Sequence, residues 1–266
     1  MSANGRNDHF AVAAAFLWGI NYVAVKSVLC ELPEKSFLLI RFTASVVLLF
    51  LYLCISGETF RLRREDILKI VMLGVFGVGL YNILWTAGIH LTTASNAALI
   101  VSTSPTFAQL YMQFTGAEKV GGKRWVYTFV AFCGLFLMTG SSPGAAIDLG
   151  SRFFMGNLLV LASTLLFASY TVFAKPLLIH YTPVKLNAMA MASGLPILLA
   201  YYAYAPAPLS FSAVSGATLA KLSYIIIFGT AVAYICWYEG IKKTGPVKVI
   251  LFHYIVPVSS MILGAA

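Results

Sequence analysis

Residues 76–89 read FGVGLYNILWTAGI, and residues 228–241 read FGTAVAYICWYEGI. The two stretches share Phe, Gly, Ile, Trp, Gly and Ile at a constant offset of 152. Each lies in an apolar run long enough to cross a bilayer, yet each carries polar or amphipathic side chains near its middle: Asn82 and Trp85 in one, Tyr234 and Trp237 in the other. Either these residues serve packing, or a site has been built twice.

The repeat extends beyond the two stretches. Nine of the thirty positions in 76–105 are identical to those in 228–257, the later ones being Thr92/Thr244, Leu99/Leu251 and Pro105/Pro257. A weaker match at offset 149 pairs LWGINYVAVK from Leu17 with LFASYTVFAK from Leu166, which sets Asn21 opposite Tyr170 and Lys26 opposite Lys175. An offset that contains five spans, an odd number, makes the second copy cross the membrane in the opposite direction. Inverted repeats of this kind are typical of secondary transporters, whose substrate site lies near the bilayer midplane where the halves meet.

Composition supports a membrane-spanning chain. Hydrophobic residues make up 60% of the 266 positions and charged residues only 10%, with a mean hydropathy of +0.86; soluble domains carry about 25% charged residues. Apolar runs are expected to span at 10–30, 35–56, 67–90, 94–115, 124–140, 154–174, 183–205, 219–241 and 247–266. Runs of this length suit helices, and the strict alternation of a membrane β-barrel is absent. With the N-terminus inside, thirteen Lys and Arg fall on inner segments and three on outer ones, so the net charge of +9 marks orientation rather than a nucleic-acid partner. The four cysteines form no CxxC pair and have no histidine at metal-ligand spacing, so neither a disulfide framework nor a metal site is expected, and no cofactor is implied.

Several further segments carry a family resemblance: LWGINYVAVK in the first span, IRF at 40–42, NAALIVSTSPTF at 96–107 followed by GAEK at 116–119, and VILFHYIVPVSSMILG at 249–264. In this order, over nearly the whole chain, they resemble the drug/metabolite transporter superfamily, of the EamA type. The resemblance implies an all-α membrane fold of ten helices in two inverted five-helix repeats, and export or exchange of small metabolites, often amino acids. On that pattern residues 1–142 form the first repeat and 153–266 the second, with about nine transmembrane helices present and the tenth missing. The expected location is the bacterial inner (plasma) membrane, with a cytoplasmic N-terminus.

Candidate substrate-binding residues follow from depth and symmetry. Asn21, about 16 Å into the first span, either bonds a neighbouring helix or faces a cavity; with Asn82, Tyr170 and Tyr234 it places hydrogen-bonding groups at matched positions in both halves. Trp85 lies inside its span rather than at an interfacial belt, so Trp85 and Trp237 either pack or form an aromatic wall for substrate, and Trp18, three residues before Asn21, joins them. Pro105 and Pro257 remove backbone hydrogen bonds at matched points, freeing carbonyls that substrate or the Ser102 hydroxyl could use. His253 and Glu239 are the candidates for proton coupling. His253 could equally be a structural hydrogen-bonded histidine, and Glu239 could pair with Lys242 and Lys243 at i+3 and i+4. Arg41 either snorkels to the outer face or meets a carboxylate in the cavity.

The function expected is therefore a secondary transporter for a small polar or aromatic solute, amino acid-like among the options, working by alternating access. Its partners would be that small-molecule substrate and the lipid bilayer, with a homodimer left open and no nucleic acid. A helical scaffold or assembly subunit would explain packing glycines but not the matched Asn, Tyr and Trp pairs. A membrane-embedded enzyme would need a motif such as HExxH, which does not occur.

Overall fold

The computed structural model describes residues 8–115, 152–206 and 214–264, together with Gly122, Val126, Phe129, Val130 and Cys133. Apart from those single positions, the span expected at 124–140, the boundary between the two repeats, and the basic residues Arg6, Lys119, Lys123 and Arg124 lie outside the described residues. Among the described residues the protein is all helical, and six helices are long and apolar enough to cross a membrane. These are α1 (His9–Val28), α2 (Glu34–Ile55), α3 (Arg64–Leu91), α6 (Arg152–Leu177), α7 (Pro183–Tyr204) and α8 (Gly216–Thr244). Between and after them run the shorter α4 (Ala94–Val101), α5 (Ser104–Thr115), α9 (Pro246–Leu251) and α10 (Ile255–Gly264).

Two expected spans are thus interrupted. The run at 94–115 divides at Ser102–Thr103, and the run from 247 passes through a 3₁₀ turn at Phe252–Tyr254. Each interruption falls just ahead of its matched proline, Pro105 or Pro257, whose missing N–H and bulky ring prevent regular hydrogen bonding with the preceding turn. The third span begins at Arg64, three residues earlier than expected, which brings Asp66 into its first turn.

Local sequence sets the helix starts. Thr182 caps α7 by accepting from the Lys185 N–H, with Pro183 at the first helical position, and Ser215 caps α8 by accepting from the Thr218 N–H. The turn from α8 into α9 requires glycine, because Gly245 has φ +89° ahead of Pro246. Large apolar side chains such as Phe16, Leu51, Ile55, Leu68, Phe173 and Leu199 remain exposed around the bundle. On a helix set this hydrophobic, that surface is a lipid-facing one, and the chain is an integral membrane protein.

Equivalent elements recur at the offsets read from the sequence. α2 and α7 are both 22 residues long and start 149 apart, while α3 and α8 start 152 apart. Inside α3 the segment Val75–Leu80 winds as a π-helix, and inside α8 the segment Ile227–Val232 does the same, again 152 apart. Such widened turns are rare and often mark functional sites.

The packing crosses between the two halves. α1 packs on α8 and α10, α6 packs on α3, α4 and α5, and α2 packs on α7. Each π segment lies against the other half: a Cβ at Gly77 would overlap the Tyr170 ring, and one at Gly229 would overlap the Asn21 side chain. Lys26 donates to the carbonyls of Ile89 (2.8 Å) and Thr92 (2.7 Å) at the end of α3, as Lys175 does to those of Ile241 (3.1 Å) and Lys242 (3.2 Å) near the end of α8. A cation at a helix C-terminus satisfies carbonyls that have no intrahelical partner.

Candidate functional site

A cavity lies where α1, α2 and α3 meet α8 and α10. Trp18, Asn21, Asn82, Trp85, Tyr234 and His253 line it, joined by Tyr22, Arg41, Tyr81, Val101 and Val256. The first-half residues run from α1 to the end of α4, and the second half supplies Tyr234, His253 and Val256. Its free volume is about 20 Å³, room for one water-sized body.

The walls are fixed by hydrogen bonds that use the π segments. The Trp18 indole N–H donates to the Gly229 carbonyl at 3.2 Å, and the Asn82 amide donates to the Val78 carbonyl at 2.8 Å. Trp85 donates to the Tyr22 hydroxyl at 3.0 Å, while its counterpart Trp237 donates to Thr171 Oγ1 at 3.1 Å. Tyr22 and Thr171 are themselves 149 apart, so one contact is repeated with a large acceptor in one half and a small one in the other.

Two polar groups in the cavity wall are left with bonding capacity. Asn21 Oδ1 is buried against Gly229 and has no hydrogen-bond partner. Arg41, only 2% exposed, donates from Nε to Thr230 Oγ1 at 2.6 Å, but its Nη1 has no partner. Its guanidinium lies 5.1 Å from the Phe42 ring centroid and 5.8 Å from that of Trp85. Among the described residues no aspartate or glutamate lines the cavity, and Arg41 enters none of the ion pairs. Removing such a cation from water costs on the order of several kcal/mol, which the rings and a single hydroxyl offset only in part.

The other candidates, Tyr170, Trp237, Ser102 and Glu239, are not in the cavity wall. Tyr170 is fully buried behind the wall, with its ring stacked on Tyr238 at 5.3 Å and edge-on to Tyr234 at 6.0 Å. Trp237 is also fully buried and stacks on His253 at 4.7 Å. The Ser102 hydroxyl turns back on its own helix to donate to the Leu99 carbonyl at 2.5 Å. His253 is clamped between Phe167 (4.5 Å) and Trp237, with Nδ1 2.7 Å from the Ser104 hydroxyl. Glu239 lies outside the cavity wall and pairs with Lys243 at 3.6 Å in an i,i+4 contact. Among the described residues no cluster of three or more His, Cys, Asp or Glu could hold a metal ion.

Arg41, Tyr22 and Tyr81 are the polar lining residues that the matched-pair argument passed over. Tyr22 and Tyr81 each adjoin a flagged asparagine, and adjacent residues on a helix can both border a cavity at a helix crossing. Arg41 had a signal too, as a cation inside an apolar run, but the sequence left its direction open.

Comparison with known proteins is consistent along the chain. Residues 7–140 and 154–266 match the model of the EamA-like transporter family. An uncharacterized transporter of Archaeoglobus fulgidus is 27% identical over 248 residues, covering 93% of this chain and 84% of that one. The uncharacterized inner membrane transporter YicL of Salmonella typhimurium is 24% identical, covering 94% and 83%. A riboflavin transporter of Vibrio cholerae is 30% identical over a shorter region, 62% of this chain and 53% of that one. A solved crystal structure shares the fold, with a TM-score of 0.75 at 16% identity over 97% of this chain and 87% of the other.

Proposed function

The chain belongs to the EamA-like transporter family, and we propose that it is a secondary transporter that moves a small metabolite through the central cavity by alternating access. In this reading the two halves are inverted repeats, and the cavity between them is the substrate site. The observation that carries it is the cavity's position: it is walled from both halves, beside two π segments that occur 152 residues apart. Transporters built from inverted repeats bind substrate at that interface. The aromatic walls suit a small solute with a flat or apolar part, held in orientation by the Asn21, Asn82 and Tyr hydroxyl groups. The asymmetry of basic residues orients the N-terminus to the cytoplasm, and the inner-membrane location given for the Salmonella relative is extended to this chain.

Counterflow in proteoliposomes tests the reading, with a panel of amino acids, hydroxy acids, nucleosides, organic cations and riboflavin. At least one solute is expected to accumulate against its trapped counterpart. Trp85→Ala and Asn82→Ala should cut that flux while the protein stays folded and inserted. No counterflow with any solute would defeat the reading, and normal flux in both variants would defeat the site.

A further inference from the structure

We propose that the transported solute is a small organic acid whose carboxylate pairs with Arg41 and whose neighbouring donor group meets Asn21 Oδ1. The inference rests on the transporter reading and adds a charge to it.

Several contacts described above have equivalents in both halves, those of Trp85 and Trp237, Lys26 and Lys175, and Gly77 and Gly229 among them, but Arg41 has none. At offset 149 its counterpart is Ala190, and Thr230, which accepts from its Nε, corresponds at offset 152 to Val78. A scaffold built only for packing could use the Ala190 and Val78 solution twice. Here one half instead buries a permanent cation with Nη1 unpartnered, in a cavity that no Asp or Glu among the described residues lines. Within a membrane protein such a charge is paired, or it marks a ligand path.

The geometry favours one charge rather than two. Among the described residues Arg41 is the single Lys or Arg in the wall, so a monoanionic carboxylate neutralises it, whereas a phosphate dianion would leave one charge unbalanced in a dry site. Guanidinium N–H groups form strong charge-assisted bonds with carboxylate oxygens. Asn21 Oδ1 adds the complementary feature, an unpartnered acceptor on a residue of the same wall, suited to a neutral donor such as a hydroxyl near the carboxylate. Trp18 and Trp85 face the rest of the solute with ring surface, favouring an apolar or aromatic tail.

The same tryptophans supply the assay. Intrinsic fluorescence of the detergent-purified full chain is titrated with 3-phenyllactate, phenylalanine, neutral 3-phenyllactamide, 2-phenylethylamine and inorganic phosphate. At least one of the two carboxylates should quench saturably, with 3-phenyllactate binding about 30-fold or more tighter than its amide, the loss that follows when a buried charge pair loses one partner. Arg41→Gln should collapse that ratio and Arg41→Lys should retain part of it. The comparison of acid with amide in the unaltered protein stands even if a variant misfolds. Equal binding of acid, amide and amine, preference for phosphate, or no saturation by either carboxylate would overturn the proposal. Counterflow separates the two levels: transport of neutral or cationic solutes without acid preference defeats the charge assignment alone, and absence of all transport defeats the transporter reading beneath it.

Discussion

Trp85 donates its indole N–H to the hydroxyl of Tyr22 at 3.0 Å, with the rings edge-on at 5.1 Å, and both side chains line the cavity. Tyr22→Phe keeps the ring contact but removes the acceptor, leaving a buried N–H without a partner. The expected loss is about 0.6–2 kcal/mol, the range of hydrogen bonds between membrane helices. Thr171→Val does the same to Trp237, away from the cavity. Thermal unfolding in detergent should show similar losses for the two variants, whereas counterflow should fall further for Tyr22→Phe. Equal flux in both would place Tyr22 among purely structural residues.

Gly77→Ala and Gly229→Ala test the tight contacts at the π segments. An added methyl meets Tyr170 in one case and Asn21 in the other, and overpacking of this kind costs about 1–3 kcal/mol. The two variants should differ in how they fail. Displacing Tyr170 disturbs a packed aromatic stack, while displacing Asn21 moves a side chain in the cavity wall. Both are expected to lower the unfolding temperature, and Gly229→Ala to lose more transport per unit of lost stability.

Lys26→Met removes the cation that closes the end of α3 on three carbonyls, those of Ile89, His90 and Thr92. Lys175→Met removes the matching contacts to Ile241 and Lys242. Each should destabilise by roughly 0.3–1 kcal/mol for a cation at a helix C-terminus. Because the two sites share no partner, the double variant should show additive losses in thermal unfolding.

Glu31, on the turn between α1 and α2, accepts from the Ser215 backbone N–H at 2.8 Å and from the Ser215 hydroxyl at 3.0 Å. These bonds, the backbone one foremost, hold its carboxyl below the usual value of 4.5. A lowered carboxylate pKa contributes stability that is fully present above that usual value and fades as pH falls through the folded-state value. Glu31→Gln should therefore unfold at a lower temperature than the unaltered protein near neutral pH, with the gap closing well below pH 4.5. A gap that persists in strong acid would mean that the bonds do not depend on the charge.

At the opposite end of the two-half arrangement, Arg63 and His180 occupy the positions equivalent to Ser215 and Glu31, and they too touch, Nη1 to Nε2, at 2.7 Å. Tyr181 adds bonds from the Arg63 N–H (2.9 Å) and to Asp66 Oδ2 (3.1 Å). If access alternates, Glu31→Gln and Tyr181→Phe should shift labelling of introduced cysteines in opposite senses, one favouring reagent from outside and the other from inside. Shifts in the same sense would count against alternation through these contacts.

Much of the fold was legible because spans announce themselves by length and apolarity, and because a constant offset survives in residues that pack helices closely. The offsets of 149 and 152 reappear as the starts of α2/α7 and α3/α8. The broken runs near Pro105 and Pro257 were legible as weak points, since proline removes a donor wherever it sits. The π segments were not, because one extra residue in a turn has no compositional signature. The cavity wall was legible at its asparagines and less so at its tryptophans. Trp85 and Trp237 are sequence equivalents, yet one borders the cavity and the other does not. His253 stacks on Trp237, whereas the residue equivalent to His253 at offset 152 is the smaller Val101. Arg41 was ambiguous for a different reason: a long side chain at intermediate depth can reach either way, and only the packing of α2 on the π segment of α8 determines its direction.

The cavity's volume of about 20 Å³ has a thermodynamic consequence. Any metabolite larger than water must first find the chain in a roomier conformer, so measured affinity equals intrinsic affinity multiplied by the fraction of molecules already expanded. Substitutions that loosen the bundle far from the cavity should then tighten apparent binding even as they lower the melting temperature.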